Sequence, residues 1–360
     1  MTAFDDTRLD DPVALAAADD LLRRLASAGA RIRAEIDAST DALTALDTDG
    51  FRPRAVVAAG RDARLVRAVL EPVCPVPFVA WPGPGLPGWA GPLDLVVVLG
   101  GMNADAGSVS AASEAVRRGC GLMVACPDES PIAVASAGSR HAIRLPSQSD
   151  DQLASAIAVL QALHQLELGP AVEADAVAKT LDDVAVSCSP NRDVAVNPAK
   201  DLALMLADRM PLVWGGTVLA ARAARRVVEA IRLASGRPAL AADAGHLLPV
   251  LANQPPRDLF ADPFDDAAPD DLRPGLVILD DGAGDAPVLE ARRQLEGTAE
   301  RHDVRVKVLT QDNGSDVARY AALMQSGRYA AAYLGLGLER YGMPGTGRTG
   351  SLNPAEDPAW

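Results

Sequence analysis

The chain has 360 residues, 49% of them hydrophobic, with four cysteines and a formal net charge of −14 at pH 7. This length predicts about two domains with sizeable cores, and the acidic balance without a basic run argues against nucleic acid as a partner. No apolar run approaches a membrane span, the acidic chain start is not typical of a signal peptide, and the scattered cysteines favour reduced thiols, so we expect a cytoplasmic protein.

The first part of the chain is predicted to form a long helix followed by a parallel sheet. Residues 12–38 show helical periodicity. Strand and helix signals then alternate, with strands at 55–59, 76–80, 94–99, 121–126 and 142–145 and helices at 62–70 and 108–118. This rhythm is typical of a parallel sheet with helices on both faces.

A helical stretch at 150–187 leads to a second α/β pass that begins near Asn197. Its signals are strands at 211–214, 276–279 and 304–309, helices at 198–208, 217–234 and 290–300, and two closing helices that end near Tyr341. Residues 258–273, acidic and containing prolines, predict a long surface loop. We therefore predict an α/β protein with these parts: an N-terminal helix and first domain (1–150), a helical connector (151–190), a second domain (191–342) and a disordered tail (343–360).

The segment from Leu93 to Pro127 is the most informative part of the sequence. It predicts a buried strand, a glycine-rich loop at Gly100–Gly107, a helix and a second strand. In an open α/β sheet, ligands bind at loops of this kind, beyond the carboxyl end of a strand and at a helix N-terminus.

The order and flanks of this segment resemble the SIS (sugar isomerase) domain of the bifunctional phosphoglucose/phosphomannose isomerases. In that family the loop reads Ser-x-Ser-Gly-Asn-Thr-x-Glu, and its hydroxyls hold the sugar phosphate. An ungapped match places Gly100–Gly107 on these eight positions, which leaves all three hydroxyl ligands absent.

The second half of the chain also resembles this family. Asn197–Ala203 resembles its Asn-x-Ala-Lys-x-Leu-Ala helix start, and Pro211–Gly215 resembles its Pro-x-x-Tyr-Gly strand. The resemblance covers roughly residues 12–342 and implies two tandem SIS-type three-layer α/β/α domains with parallel sheets, plus the N-terminal helix. It also implies a homodimer, because family members are commonly dimers in which both subunits complete a site. Isomerisation of this type needs no cofactor, so the resemblance implies none here.

The residues that carry isomerisation in the family are replaced here. Moving a proton between C1 and C2 needs a base, and opening the sugar ring needs an acid/base group. Aligned with the family, the glutamate base falls on Leu233 and the ring-opening histidine falls on Pro249. Glu229, about one helical turn earlier, and His246, in the same loop, are an alternative catalytic pair. The alternative is that Glu229 is a solvated charge on a helix and that His246 is an ordinary loop histidine.

A substrate site in the first domain has several candidate residues. Their roles divide between anion binding, sugar hydroxyl binding and local structure. Arg61 or Arg64 could clamp an anion beside the Gly60 loop, or be surface arginines at a helix start. Asn103 and Asp105 could bond sugar hydroxyls, or Asp105 could cap the following helix. The candidates for substrate binding are Gly60, Arg61, Arg64, Gly100, Gly101, Asn103 and Asp105.

Two functions follow from these observations. The first is a sugar-phosphate-binding protein that interconverts glucose-6-phosphate or mannose-6-phosphate with the ketose if it is active. The second is a catalytically inactive pseudo-isomerase that senses a phosphosugar or serves a partner protein. No histidine or cysteine spacing predicts a metal site, and no glycine-rich nucleotide loop follows a strand, which disfavours a dehydrogenase.

Overall fold

The computed structural model describes residues 3–47, 52–60, 63–139, 142–254 and 273–341. The predicted tail and the predicted surface loop, except Arg273, lie outside these residues. Contacts divide the chain into two compact units, residues 28–179 and residues 1–27 together with 180–360. We call them the first-sheet unit and the second-sheet unit. The boundaries predicted from the sequence, at 150 and 190, differ from this division.

The N-terminal region forms several short helices. A 3-10 helix at Asp6–Leu9 is followed by α1 (Pro12–Ala17), α2 (Asp19–Ala26) and α3 (Ala28–Thr44). The prediction of a single helix over 12–38 is therefore wrong. The apolar spacing runs across the breaks at Ala18 and Ser27, and the one glycine nearby, Gly29, lies inside α3, so the sequence pattern did not reveal them.

The first-sheet unit contains a five-stranded parallel sheet in the order β2-β1-β3-β4-β5. The strands are β1 (Ala55–Ala59), β2 (Phe78–Trp81), β3 (Asp94–Leu99), β4 (Gly121–Cys126) and β5 (Ile143–Pro146). The helices that follow them are α4 (Arg64–Leu70), α5 (Ala106–Arg118), α6 (Pro131–Ser136) and α7 (Gln152–Gln165), and α8 (Ala174–Ser187) comes next in the chain. Every residue of β1 and β3 is buried, as expected for strands covered on both faces.

The second-sheet unit contains a four-stranded parallel sheet in the order β7-β6-β8-β9. Its strands are β6 (Arg209–Gly215), β7 (Leu240–Ala241), β8 (Arg273–Asp280) and β9 (Arg305–Thr310). Its helices are α9 (Pro198–Leu206), α10 (Val218–Ser235), α11 (Ala244–Ala252), α12 (Ala286–Arg301) and α13 (Asp316–Gly337). The sequence predicts two closing helices, but the structure has one helix, α13, in their place.

Helix α13 is buried along almost its whole length, and the N-terminal segment covers its end. The Asp5 amide donates to the Gly337 carbonyl at 2.9 Å, and the Arg8 Nε donates to the Leu336 carbonyl at 3.0 Å. The first bond satisfies a carbonyl that the helix end leaves without a partner, and the second adds a donor to a carbonyl that also accepts from the Glu339 amide. Within the described residues no helix is long and apolar enough to cross a membrane.

Candidate functional site

The first sheet changes winding direction between β1 and β3, and the loops that leave these two strands border the candidate site. Chain connections run in opposite directions from this pair, which is where ligands bind in sheets of this order. Gly60 follows β1 with a φ of +90° that favours glycine, and Gly100 follows β3. Both predicted glycines therefore lie at the carboxyl edge of the sheet.

The N-terminus of α5 opens onto the same edge, and Asp105 caps it. The Asp105 carboxylate accepts from the amides of Gly107 at 2.9 Å and Ser108 at 3.1 Å, and from the Ser108 hydroxyl at 2.6 Å. This is the capping role that the sequence left open beside sugar binding. The amides that would hold an anion at this helix start are thus bonded to a carboxylate of the chain.

Ser108 is a site residue that the family loop pattern did not reveal, because it lies one position past the eight aligned residues. Its side chain is buried, and a Cβ on Gly60 would overlap its hydroxyl oxygen. The β1 loop therefore lies directly against the first turn of α5. In the sequence, the only signal related to this contact was the helical pattern that begins at Ser108.

A second carboxylate reaches the loop after β3 from a distant part of the chain. Asp150 Oδ1 accepts from the Met102 amide at 3.0 Å. A Cβ on Gly101 would overlap the same oxygen, so glycine at this position makes room for Asp150. We call residues 100–105 the β3 loop.

The segment that carries Asp150 is held by a buried glutamate of α3. Glu35 is 1% exposed and accepts from the Gln148 amide at 2.9 Å and from the Ser155 hydroxyl at 2.9 Å. Burial raises the pKa of the Glu35 carboxyl, and its hydrogen bonds to Ser147, Gln148 and Ser155 oppose that rise. These contacts fix residues 147–151, which we call the β5–α7 segment.

The remaining candidates of the first domain are at the surface or outside the described residues. Arg61 lies outside them. Arg64 is the first residue of α4 and is exposed, and Asn103 is exposed in the β3 loop.

The second sheet changes direction between β6 and β8, and a hydroxyl and a carboxylate meet there. Thr217 caps α10 through the Ala220 amide at 3.1 Å, and its hydroxyl donates to the buried Asp281. The other Asp281 oxygen accepts from the Ala283 amide at 3.3 Å.

The structure does not bring Glu229 and His246 together within one chain. Helix α10 starts at the carboxyl edge of the second sheet, and Glu229 lies about 16 Å along it from Val218. There Glu229 accepts from Arg226 Nη1 at 2.6 Å. His246 is exposed in the first turn of α11, just after β7, near the carboxyl edge.

The positions aligned with the family's base and histidine lie on the same two helices. Leu233 is half-buried near the end of α10, and Pro249 is exposed inside α11. Among the described residues no group of three histidine, cysteine, aspartate or glutamate side chains could hold a metal ion.

Comparison with known proteins finds a family model that matches part of the chain and solved structures that share its fold. Residues 195–340 match the family model of the bacterial phosphoglucose isomerase C-terminal SIS domain. The fold is similar to the C-terminal domain of glucosamine-fructose-6-phosphate aminotransferase from Francisella tularensis, with a TM-score of 0.60 and 12% identity over 89% of this chain and 96% of that one. No curated protein matches the sequence.

Two further solved structures share the fold. A candidate phosphosugar isomerase from Silicibacter pomeroyi DSS-3 has a TM-score of 0.58 and 13% identity over 89% of this chain and 98% of that one. Glucosamine-6-phosphate deaminase from Thermotoga maritima has a TM-score of 0.52 and 11% identity over 89% of this chain and 94% of that one. The predicted resemblance and the tandem SIS-type α/β fold are confirmed.

Proposed function

We propose that this chain is a SIS-fold protein that binds a sugar derivative and does not isomerise it. The observation that carries the proposal is the loss of acid/base chemistry at the aligned catalytic positions. A hydrocarbon side chain at Leu233 and a proline ring at Pro249 cannot accept or donate a proton, and aldose–ketose isomerisation needs both steps.

The alternative pair does not replace them within one chain. Glu229 is bound to Arg226, and His246 lies near the opposite edge of the second sheet. A general base must be within hydrogen-bond reach of the proton that it takes. An active site containing both residues would need the histidine of a second copy, and such a dimeric site stays a prediction.

Binding of a sugar derivative is supported by the fold and by the two switch points. Proteins named for phosphosugar chemistry share the architecture, and both sheets have polar groups where ligands of α/β sheets bind. No nucleic acid, membrane or cofactor enters the proposal, and a cytoplasmic location stays a prediction.

The test is a coupled assay for conversion of glucose-6-phosphate and mannose-6-phosphate to fructose-6-phosphate, with Glu229→Gln and His246→Ala as controls. We expect no turnover above the level of both variants, since a contaminating isomerase would be equal in all three samples. Turnover that disappears in either variant would overturn the proposal in favour of a rebuilt isomerase. Calorimetric titration with the same sugars and their unphosphorylated forms tests binding, and no heat with any of them would favour a role in protein partnership.

A further inference from the structure

The β3 loop and the start of α5 have the geometry of an anion site, but three of their amides are already bonded to carboxylates. A loop beyond a strand end at a sheet switch point, followed by a helix N-terminus, ordinarily attracts negative groups. Here the amides of Met102, Gly107 and Ser108 all donate to aspartate oxygens. Any anionic ligand would compete with these oxygens for the same donors.

Asp105 and Asp150 reach these amides in different ways, one locally and one through the tertiary structure. Asp105 is a local helix cap, which many helices have whatever their function. Asp150 comes from a separate loop, 48 positions away from Met102 in sequence, so only the tertiary structure puts it there. The absence of a Cβ at Gly101 leaves the space that its carboxylate fills.

The β5–α7 segment is fixed on both sides of Asp150. Before it, the Ser147 amide donates to the Cys126 carbonyl at 3.1 Å and the Gln148 amide donates to Glu35. After it, Asp151 caps α7 and accepts from Arg31 Nε at 2.7 Å. The backbone on both sides of Asp150 is therefore fixed, and the exposed Asp150 carboxylate is kept at the loop by its bond to the Met102 amide.

We infer that Asp150 is a specificity-determining residue that excludes phosphate and other anions from the β3 loop. The inference rests on the proposed function, because it states which part of a sugar derivative this loop does not hold. A phosphate bonded to the Met102 amide would lie within a few ångströms of this like charge, and such a pair is repulsive even at the exposed position of Asp150. The ligand portion at this loop is then uncharged or cationic.

The experiment measures binding of inorganic phosphate and glucose-6-phosphate by calorimetric titration to the full chain and three variants. Asp150→Asn removes the charge and keeps an oxygen that accepts from Met102. Asp150→Glu keeps the charge. Asp128→Asn removes an equal charge from an exposed position after β4, at the same edge of the sheet, without touching the β3 loop.

We expect Asp150→Asn to bind both anions at least about fivefold more tightly than the wild type, because one like charge at this range is worth about 1 kcal/mol or more. Asp150→Glu and Asp128→Asn should bind like the wild type. Equal affinity in Asp150→Asn and the wild type, or an equal gain in Asp128→Asn, would overturn the inference. A gain in Asp150→Glu would also overturn it, by making the effect steric. Inorganic phosphate as the probe requires neither turnover nor sugar recognition, so this result and the isomerase assay can fail separately.

Discussion

Lys200 shows how a residue in a family-like motif is used for structure. Its side chain is fully buried, and Nζ donates to Asp10 Oδ1 at 2.5 Å and to the carbonyls of Pro190 at 2.8 Å and Arg192 at 2.9 Å. The ring of Tyr333 lies 5.6 Å from the ammonium. All three ammonium protons thus have acceptors, and the lysine ties the N-terminal segment to α9 and the residues before it.

We expect Lys200→Met to lower the free energy of unfolding of the second-sheet unit by about 2 kcal/mol, because it leaves two carbonyls without their donor, while water can hydrate the half-exposed Asp10 carboxylate. Urea denaturation followed by circular dichroism measures the loss. Lys307→Met is the matched control, since the Lys307 side chain is 34% exposed where that of Lys200 is fully buried, and such surface pairs contribute less than about 1 kcal/mol. Equal effects of the two substitutions would contradict the structural role of Lys200.

Local features of the site were accessible from sequence, and distant partners were not. The glycine-rich loop that starts at Gly100 and the cap at Asp105 follow from neighbouring residues, because loops of this kind and caps are short-range structures. Asp150 on the Met102 amide and Asp10 on Lys200 join segments 48 and 190 positions apart, and no periodicity encodes such pairs.

At the scale of elements, α10 and α13 make the most extensive helix contact among the described residues of the second-sheet unit. A Cβ on Gly327 would overlap both branches of the Val227 side chain, and one on Gly335 would approach the Ala234 carbonyl. The helices are therefore packed in parallel, with glycine where their backbones come together. Glycine costs helix stability, so its use inside α13 indicates a packing constraint.

We expect Gly327→Ala to destabilise the protein by about 1–3 kcal/mol through overpacking, although alanine is the better helix former. Gly297→Ala is the control, because a Cβ on Gly297 in α12 meets only an arginine tip at 3.7 Å, and it should stabilise by up to about 1 kcal/mol. Denaturant midpoints measure both. Adding Val227→Ala should recover part of the Gly327→Ala loss, and strictly additive losses would rule out the clash.

Strands were easier to predict than helix ends in this chain. A strand buried on both faces is a short, continuous apolar run, and β3, β4 and β8 all have this pattern. The breaks at Ala18 and Ser27 leave the apolar spacing unchanged, so only the tertiary packing of α2 and α3 distinguishes three helices from one.

At the scale of the whole molecule, the first-sheet unit is continuous in sequence, and the second-sheet unit takes its N-terminal 27 residues from the far end of the chain. Those residues belong to the core of that unit. Their buried leucines are Leu9, Leu21, Leu22 and Leu25. Gln325 of α13 adds a buried bond of 2.6 Å to the Leu25 carbonyl.

Deleting residues 1–27 tests this assignment. We expect amide hydrogen exchange in α13 to accelerate at least about tenfold, because the deletion removes four buried leucines, each worth roughly 1.5–3 kcal/mol, and the donors to the last α13 carbonyls. Exchange in β1, β3 and β4 should stay unchanged, since their unit holds none of the deleted residues. Exchange measured by mass spectrometry resolves the two sets of peptides. Faster exchange in both units alike would show that the N-terminal segment supports the whole chain, and no change in α13 would show that it is dispensable. Faster exchange in the second-sheet unit alone is expected only if the contacts between the segment and α13 stabilise the fold by more than the conformational entropy that ordering the segment costs.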